Sequence, residues 1–102
     1  MSLTTDVYRI IGKIEALHLE DPGISKCWDE LTAVLSANEA ATIEFLRTLE
    51  DKNALNQISS VFHDVAARLH SQAFIDCLEA LVLKFPDLVL RHMVDWARDA
   101  MA

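Results

Sequence analysis

The 102-residue sequence holds only two glycines, two prolines, two cysteines and one tyrosine. Two glycines cannot build a phosphate-cradling loop or the strained nucleophile turn of a hydrolase, because both need several at fixed spacing. The positive-φ chemistry of tight β-hairpins is equally scarce. Gly12, Pro22, Gly23 and Pro86 are the only strong breakers, so Val34 to Phe85 runs without one. Neither Cys27 nor Cys77 has a second Cys or a His at the short separation of a structural zinc site. Both fit small, reduced thiols among apolar side chains. No run reaches the roughly 20 apolar residues of a membrane-spanning helix, and Met1 to Arg9 has no secretory hydrophobic segment. The expectation is a cytoplasmic chain with no cofactor and no metal.

What is present is apolar residues at helical spacing, 52% of the chain being hydrophobic. That share excludes general disorder and suffices for one domain, residues 1–102, with its own core. The clearest stretch is Asn53 to Phe85. Ile58, Val61, Phe62, Val65, Ala66 and Leu69 fall at i, i+3, i+4, i+7, i+8 and i+11, one continuous helical stripe. Phe74, Cys77, Leu78, Leu81, Val82 and Phe85 repeat the template, and Leu69-His70-Ser71 joins the two as a helical hairpin with Ser71 as cap.

The fold class is therefore all-α, with six antiparallel helices. The first is predicted from Thr5 to Leu19, capped by Thr4, Thr5 or Asp6, and the second from Ile24 or Ser25 to Leu35. The third runs from Ala37 to Glu50, opened by a Ser36–Glu39 capping box, and its apolar residues cover more than one face, so it should be contacted from two sides. Asn53 to Leu69 and Ser71 to Phe85 follow, and Asp87 caps the last helix, whose stripe is Leu90, Met93, Val94, Ala97 and Met101. Short connections make each helix pack antiparallel on its predecessor. A shift of roughly 35 residues lays Ser36 on Ser71 and Glu44 on Glu79, a period that suits two-helix repeats. A short α-solenoid and a compact bundle both fit.

Nine basic residues stand against sixteen acidic ones, for a formal charge of −7. Such a surface repels phosphate backbones and argues against direct nucleic-acid binding. It either maintains solubility or steers a basic partner into place. Glu20-Asp21 and Glu50-Asp51 lie at helix C-terminal ends, where the backbone dipole disfavours negative charge. Asp21 and Asp51 either cap the helices that follow or serve a partner. Asp29-Glu30 forms another doublet, and Asp76 and Glu79 have no basic residue at i±4. Asp64 is within reach of Arg68, as Glu44 is of Arg47 and Arg91 of Asp95. Trp28 lies on a stripe and belongs to the core. Trp96 lies off the last stripe, where it is either core or an interface anchor. His63 and His70 share a face without a third metal ligand, and His18 and His92 sit one turn from Glu15 and Asp95. No catalytic constellation emerges, and the chain is expected not to be an enzyme.

The stretch Ile58 to Leu88 carries a resemblance. Ser60-Val61-Phe62 followed by Asp64, then Ser71, Phe74-Ile75 and Leu78, then Lys84-Phe85-Pro86-Asp87-Leu88, resembles small helical immunity proteins of bacterial polymorphic toxin and contact-dependent growth inhibition systems. The resemblance implies a stoichiometric inhibitor that neutralises a cognate toxin domain, commonly a basic nuclease. The placement of charge, not the resemblance, designates Asp29, Glu30, Glu50, Asp51, Asp64, Asp76 and Glu79 as the partner surface, with Trp96 as an anchor. The alternative is a non-catalytic helical adaptor or assembly subunit, homodimeric or not, using an apolar face.

Overall fold

The structure, a computed structural model, describes residues 2–17 and 20–101. Among the described residues it contains seven helices and no strand. They are α1 (Leu3–Ala16), α2 (Gly23–Ser36), α3 (Glu39–Thr48), α4 (Lys52–Ser59), α5 (Phe62–Leu69), α6 (Gln72–Lys84) and α7 (Arg91–Met101).

The seventh helix arises because Asn53–Leu69 is not continuous. The amides of Ser60 and Val61 reach only three residues back, to Gln57 and Ile58 at 3.2 and 3.0 Å. Ser59 Oγ donates to the Asn56 carbonyl at 2.6 Å, the back-bonding by which serine competes with a helical ladder. β-Branched Val61 has little helix propensity to resist the break. Ile58, Val61, Phe62, Val65 and Ala66 are nevertheless all buried. The apolar period thus continues through a bend, and periodicity alone cannot detect it.

Capping explains most other boundaries. Ser2, rather than Thr4, Thr5 or Asp6, caps α1 by accepting from the Thr5 amide at 3.2 Å. The predicted end of the first helix at Leu19, and His18 beside Glu15, lie outside the described residues. Asp21 Oδ1 accepts from the Gly23 amide at 2.8 Å at the start of α2. The Ser36–Glu39 box does not form: α2 runs through Ser36, whose Oγ is buried without a hydrogen-bond partner, and extended Asn38 caps α3 through Ala41. Asp51 and Ser71 cap α4 and α6. Asp87 does not cap the last helix. It binds Lys52 at 2.5 Å, and α7 starts only at Arg91, after a turn in which the Leu88 amide reaches the Phe85 carbonyl.

Packing does not follow chain order, so the succession of antiparallel neighbours is corrected too. α5 packs most extensively on α7 and only lightly on α6. α3 packs mainly on α6, with further contact to α1 and α2, and its two-sided exposure to neighbours is as predicted. α1 does pair with α2, and α2 also meets α5. A solenoid unit touches only its neighbours in sequence; here the helices close on one another around a single core. The extents of 32 × 28 × 26 Å and the radius of gyration of 12.7 Å are those of a compact globule. Its centre includes Ile10, Leu31, Leu46, Leu55, Phe62, Phe74, Ile75, Leu78 and Val94. Trp28 is half-buried against that core, and Cys27 and Cys77 are free thiols, the first buried and the second partly so.

Candidate functional site

The designated carboxylates fall into two groups. Glu30, on α2, is held by Lys13 at 2.9 Å and Arg9 at 3.3 Å of α1, and those cations, Lys13 first, keep its pKa below the ordinary value. Glu50 meets Lys84 at 2.9 Å. Asp51 accepts from the Ala54 amide at 3.1 Å and from the Tyr8 hydroxyl at 3.0 Å, and both bonds, the amide's foremost, lower its pKa. Glu79 receives Arg91 through both carboxylate oxygens, 2.8 Å on the Oε2 side, and Arg98 as well. This pairing depresses the Glu79 pKa from 4.5 to about 2, with the Arg91 hydrogen bonds as the leading cause. All four serve the fold: Glu30 ties α1 to α2, Glu79 ties α6 to α7, and Glu50 and Asp51 fix the α3–α4 junction.

The other three remain available. Asp29 is exposed and has no partner among the described residues. Asp76, among the described residues, accepts only from Gln72, at 3.0 Å. Asp64 lies 3.6 Å from His63 Nε2 and not beside Arg68, the partner that helical spacing offers it. By contrast, Glu44 with Arg47 and Arg91 with Asp95 do pair as their spacing predicts.

Internal pairing leaves the charge strongly lopsided. Arg9, Lys13, Arg47, Lys52, Lys84, Arg91 and Arg98 all sit on carboxylates. Only Glu30, Glu44, Glu50, Glu79, Asp87 and Asp95 receive them. The rest of the sixteen acidic side chains, Asp6, Glu39 and Asp99 among them, have no lysine or arginine beside them among the described residues.

Trp96 is half exposed, at 49%, and belongs to no core stripe. Leu90, Val94 and Ala97 turn inward around α7, which leaves Trp96 on the outer flank. His92, one turn earlier on the same flank, sets its ring 4.5 Å from the indole at a 52° tilt. His63, from the first turn of α5, meets the same indole edge-on, with centroids 5.8 Å apart and planes at 74°. Two helices thus build one patch of three flat rings with Asp64 at its border. The His92–Trp96 spacing was a visible local signal, but the His63 contact is purely tertiary.

A second surface feature is a groove of about 330 Å³ between α3 and α6, lined by Ile43, Ala73, Cys77, Ala80 and Leu81 with Arg47, Asp76 and Lys84 at its edges. Burial raises the Cys77 pKa, with Arg47 opposing, so its thiol is less readily ionised than usual. Lys84 is already engaged by Glu50 and by the Leu49 carbonyl at 3.1 Å. Among the described residues no group of three or more His, Cys, Asp or Glu could hold a metal ion, and no helix is long and apolar enough to cross a membrane.

No protein-family model, curated protein or solved structure matches this chain.

Proposed function

We propose that this chain is a non-catalytic binding protein of the immunity type, which captures and neutralises a basic, nuclease-type toxin domain in the cytoplasm. The observation that carries this reading is the charge left over after the fold has satisfied itself. Seven of the nine lysines and arginines are paired internally, all but Lys26 and Arg68, so most of the remaining carboxylates have no counter-charge of the chain's own among the described residues. A surplus of one sign on a rigid helical scaffold accelerates capture of an oppositely charged protein and discriminates against anions. The resemblance of Ile58–Leu88 to immunity proteins points the same way. Within the designated set, Asp29, Asp64, Asp76 and Trp96 are the residues free to meet a partner, while Glu30, Glu50, Asp51 and Glu79 hold the scaffold.

The test is to look in the neighbouring reading frames for a basic, nuclease-type toxin domain and to purify the chain together with it. A one-to-one complex and protection of cells that express the toxin domain are expected. Absence of a complex at low salt overturns the reading. The apolar groove between α3 and α6 favours a second reading, a helical adaptor or homodimer. Sedimentation bears on the choice, because a chain that self-associates with Trp96 buried favours the adaptor.

A further inference from the structure

We infer that the His63–Trp96–His92 patch is the seat for one arginine side chain of a basic protein partner, its guanidinium stacked on the indole of Trp96 and its charge answered by Asp64 and Asp99. This rests on the proposed function and names the contact at its centre.

A lone exposed aromatic needs no explanation. Trp96 is different because it is held while remaining open. His92 packs on it from the same helix and His63 from α5, yet 49% of it stays accessible. Both helices are anchored in the core through Phe62, Val65, Ala66, Val94 and Ala97. The ring is therefore presented in a fixed orientation, and little conformational entropy is lost when something stacks on it. Tryptophan offers the strongest ring face for a cation, and guanidinium, planar and weakly hydrated, is the cation that stacks best.

The chain leaves this seat vacant although cations stand close in sequence. Arg91 and Arg98 flank Trp96 on α7, but both turn to Glu79 and Asp95. The one cation–ring contact among the described residues is elsewhere, Lys84 over Phe85 at 5.4 Å. The border of the patch carries the complementary sign. Asp64 has only the imidazole of His63 beside it. Asp99, three residues after Trp96 and on its face of α7, is exposed and makes no ion pair among the described residues. A flat, open ring with carboxylates at its rim and no internal cation is complementary to arginine rather than to an acidic or purely apolar group. Lysine satisfies the charge but not the stacking or the forked geometry.

Two measurements on the full chain test this. In the first, the indole N–H resonances of Trp96 and Trp28 are followed while N-acetyl-arginine amide is added. Trp96 should shift saturably and Trp28 should not. N-acetyl-lysine amide should shift Trp96 less, the neutral isostere N-acetyl-citrulline amide hardly at all, and Asp64→Asn with Asp99→Asn should weaken the arginine response. In the second, Trp96→Ala should lower affinity for the toxin domain about tenfold or more, with Trp96→Phe retaining part of it and the melting temperature unchanged. Equal shifts with arginine and citrulline, or no shift at Trp96, overturn the inference. A toxin complex that forms with unaltered affinity in Trp96→Ala also overturns it but leaves the proposed function standing. Failure of any complex to form sinks the proposed function, and the arginine titration still decides the chemistry of the seat.

Discussion

Two helix pairs that interleave along the chain, α5–α7 and α3–α6, solve the same problem differently. Each brings together helices that are not neighbours in sequence. In α5–α7, Phe62, Val65, Ala66, Val94 and Ala97 are all buried, and the two helices make the most extensive contact of any helix pair described. In α3–α6 the outer wall is Ala73 and Ala80, too short to reach across, and a groove remains above Ile43 and Cys77. A tight pair can display a large side chain on its outside because nothing inside needs it. The loose pair leaves apolar surface open instead, since short side chains cannot fill the space between helix axes. Glu79 joins the two, reaching from α6 to Arg91 and Arg98 on α7.

The contrast can be broken at its strong side first. Phe62→Ala empties a fully buried site and should cost ~3–5 kcal/mol, enough to unfold a domain of this size, read as the shift of the urea midpoint. Matched enlargements sharpen the comparison. Ala97→Leu forces extra volume into a closed interface and should cost ~1–3 kcal/mol. Ala80→Leu projects into the open groove and should change stability by no more than about 0.5 kcal/mol. Equal costs for the two enlargements would mean that the pairs are equally tight. The joint between them should be visible in acid. Because the Glu79 carboxyl is held from 4.5 down to about 2, its contribution is complete above pH 4.5 and fades as pH falls toward 2. Glu79→Gln should flatten that limb of the stability–pH curve and leave the neutral plateau slightly lower. A small gain belongs to Gly12, an exposed helical glycine with open space where a Cβ would go, where alanine should add ~0.5–1 kcal/mol without touching either pair.

Much of this architecture could be read from the residues. The all-helical class, the buried stripes and the Asp51 and Ser71 caps follow from local period and capping chemistry. Helix partners do not, because an amphipathic stripe says which face is buried and is silent about what buries it. Hence the short Leu69–Ser71 junction points α5 at α6, and α5 packs mainly on α7. The break at Ser60–Val61 escaped because the bend keeps the apolar residues in phase. The surface was harder still. Glu79 looked unpaired because its cations are 12 and 19 residues away along the chain, and His63 could not be placed on Trp96 without the fold. The sequence shows the excess of carboxylates, and only the fold separates those that staple helices from those that face solvent.

The most direct test of the central claim, that leftover negative charge draws in a basic partner, is the rate at which the chain associates with that toxin domain as salt is raised. The rate constant should fall by more than about tenfold between low ionic strength and about 0.5 M salt, while dissociation changes little. A rate that stays flat across that range would mean that the carboxylates keep the protein soluble and recruit nothing.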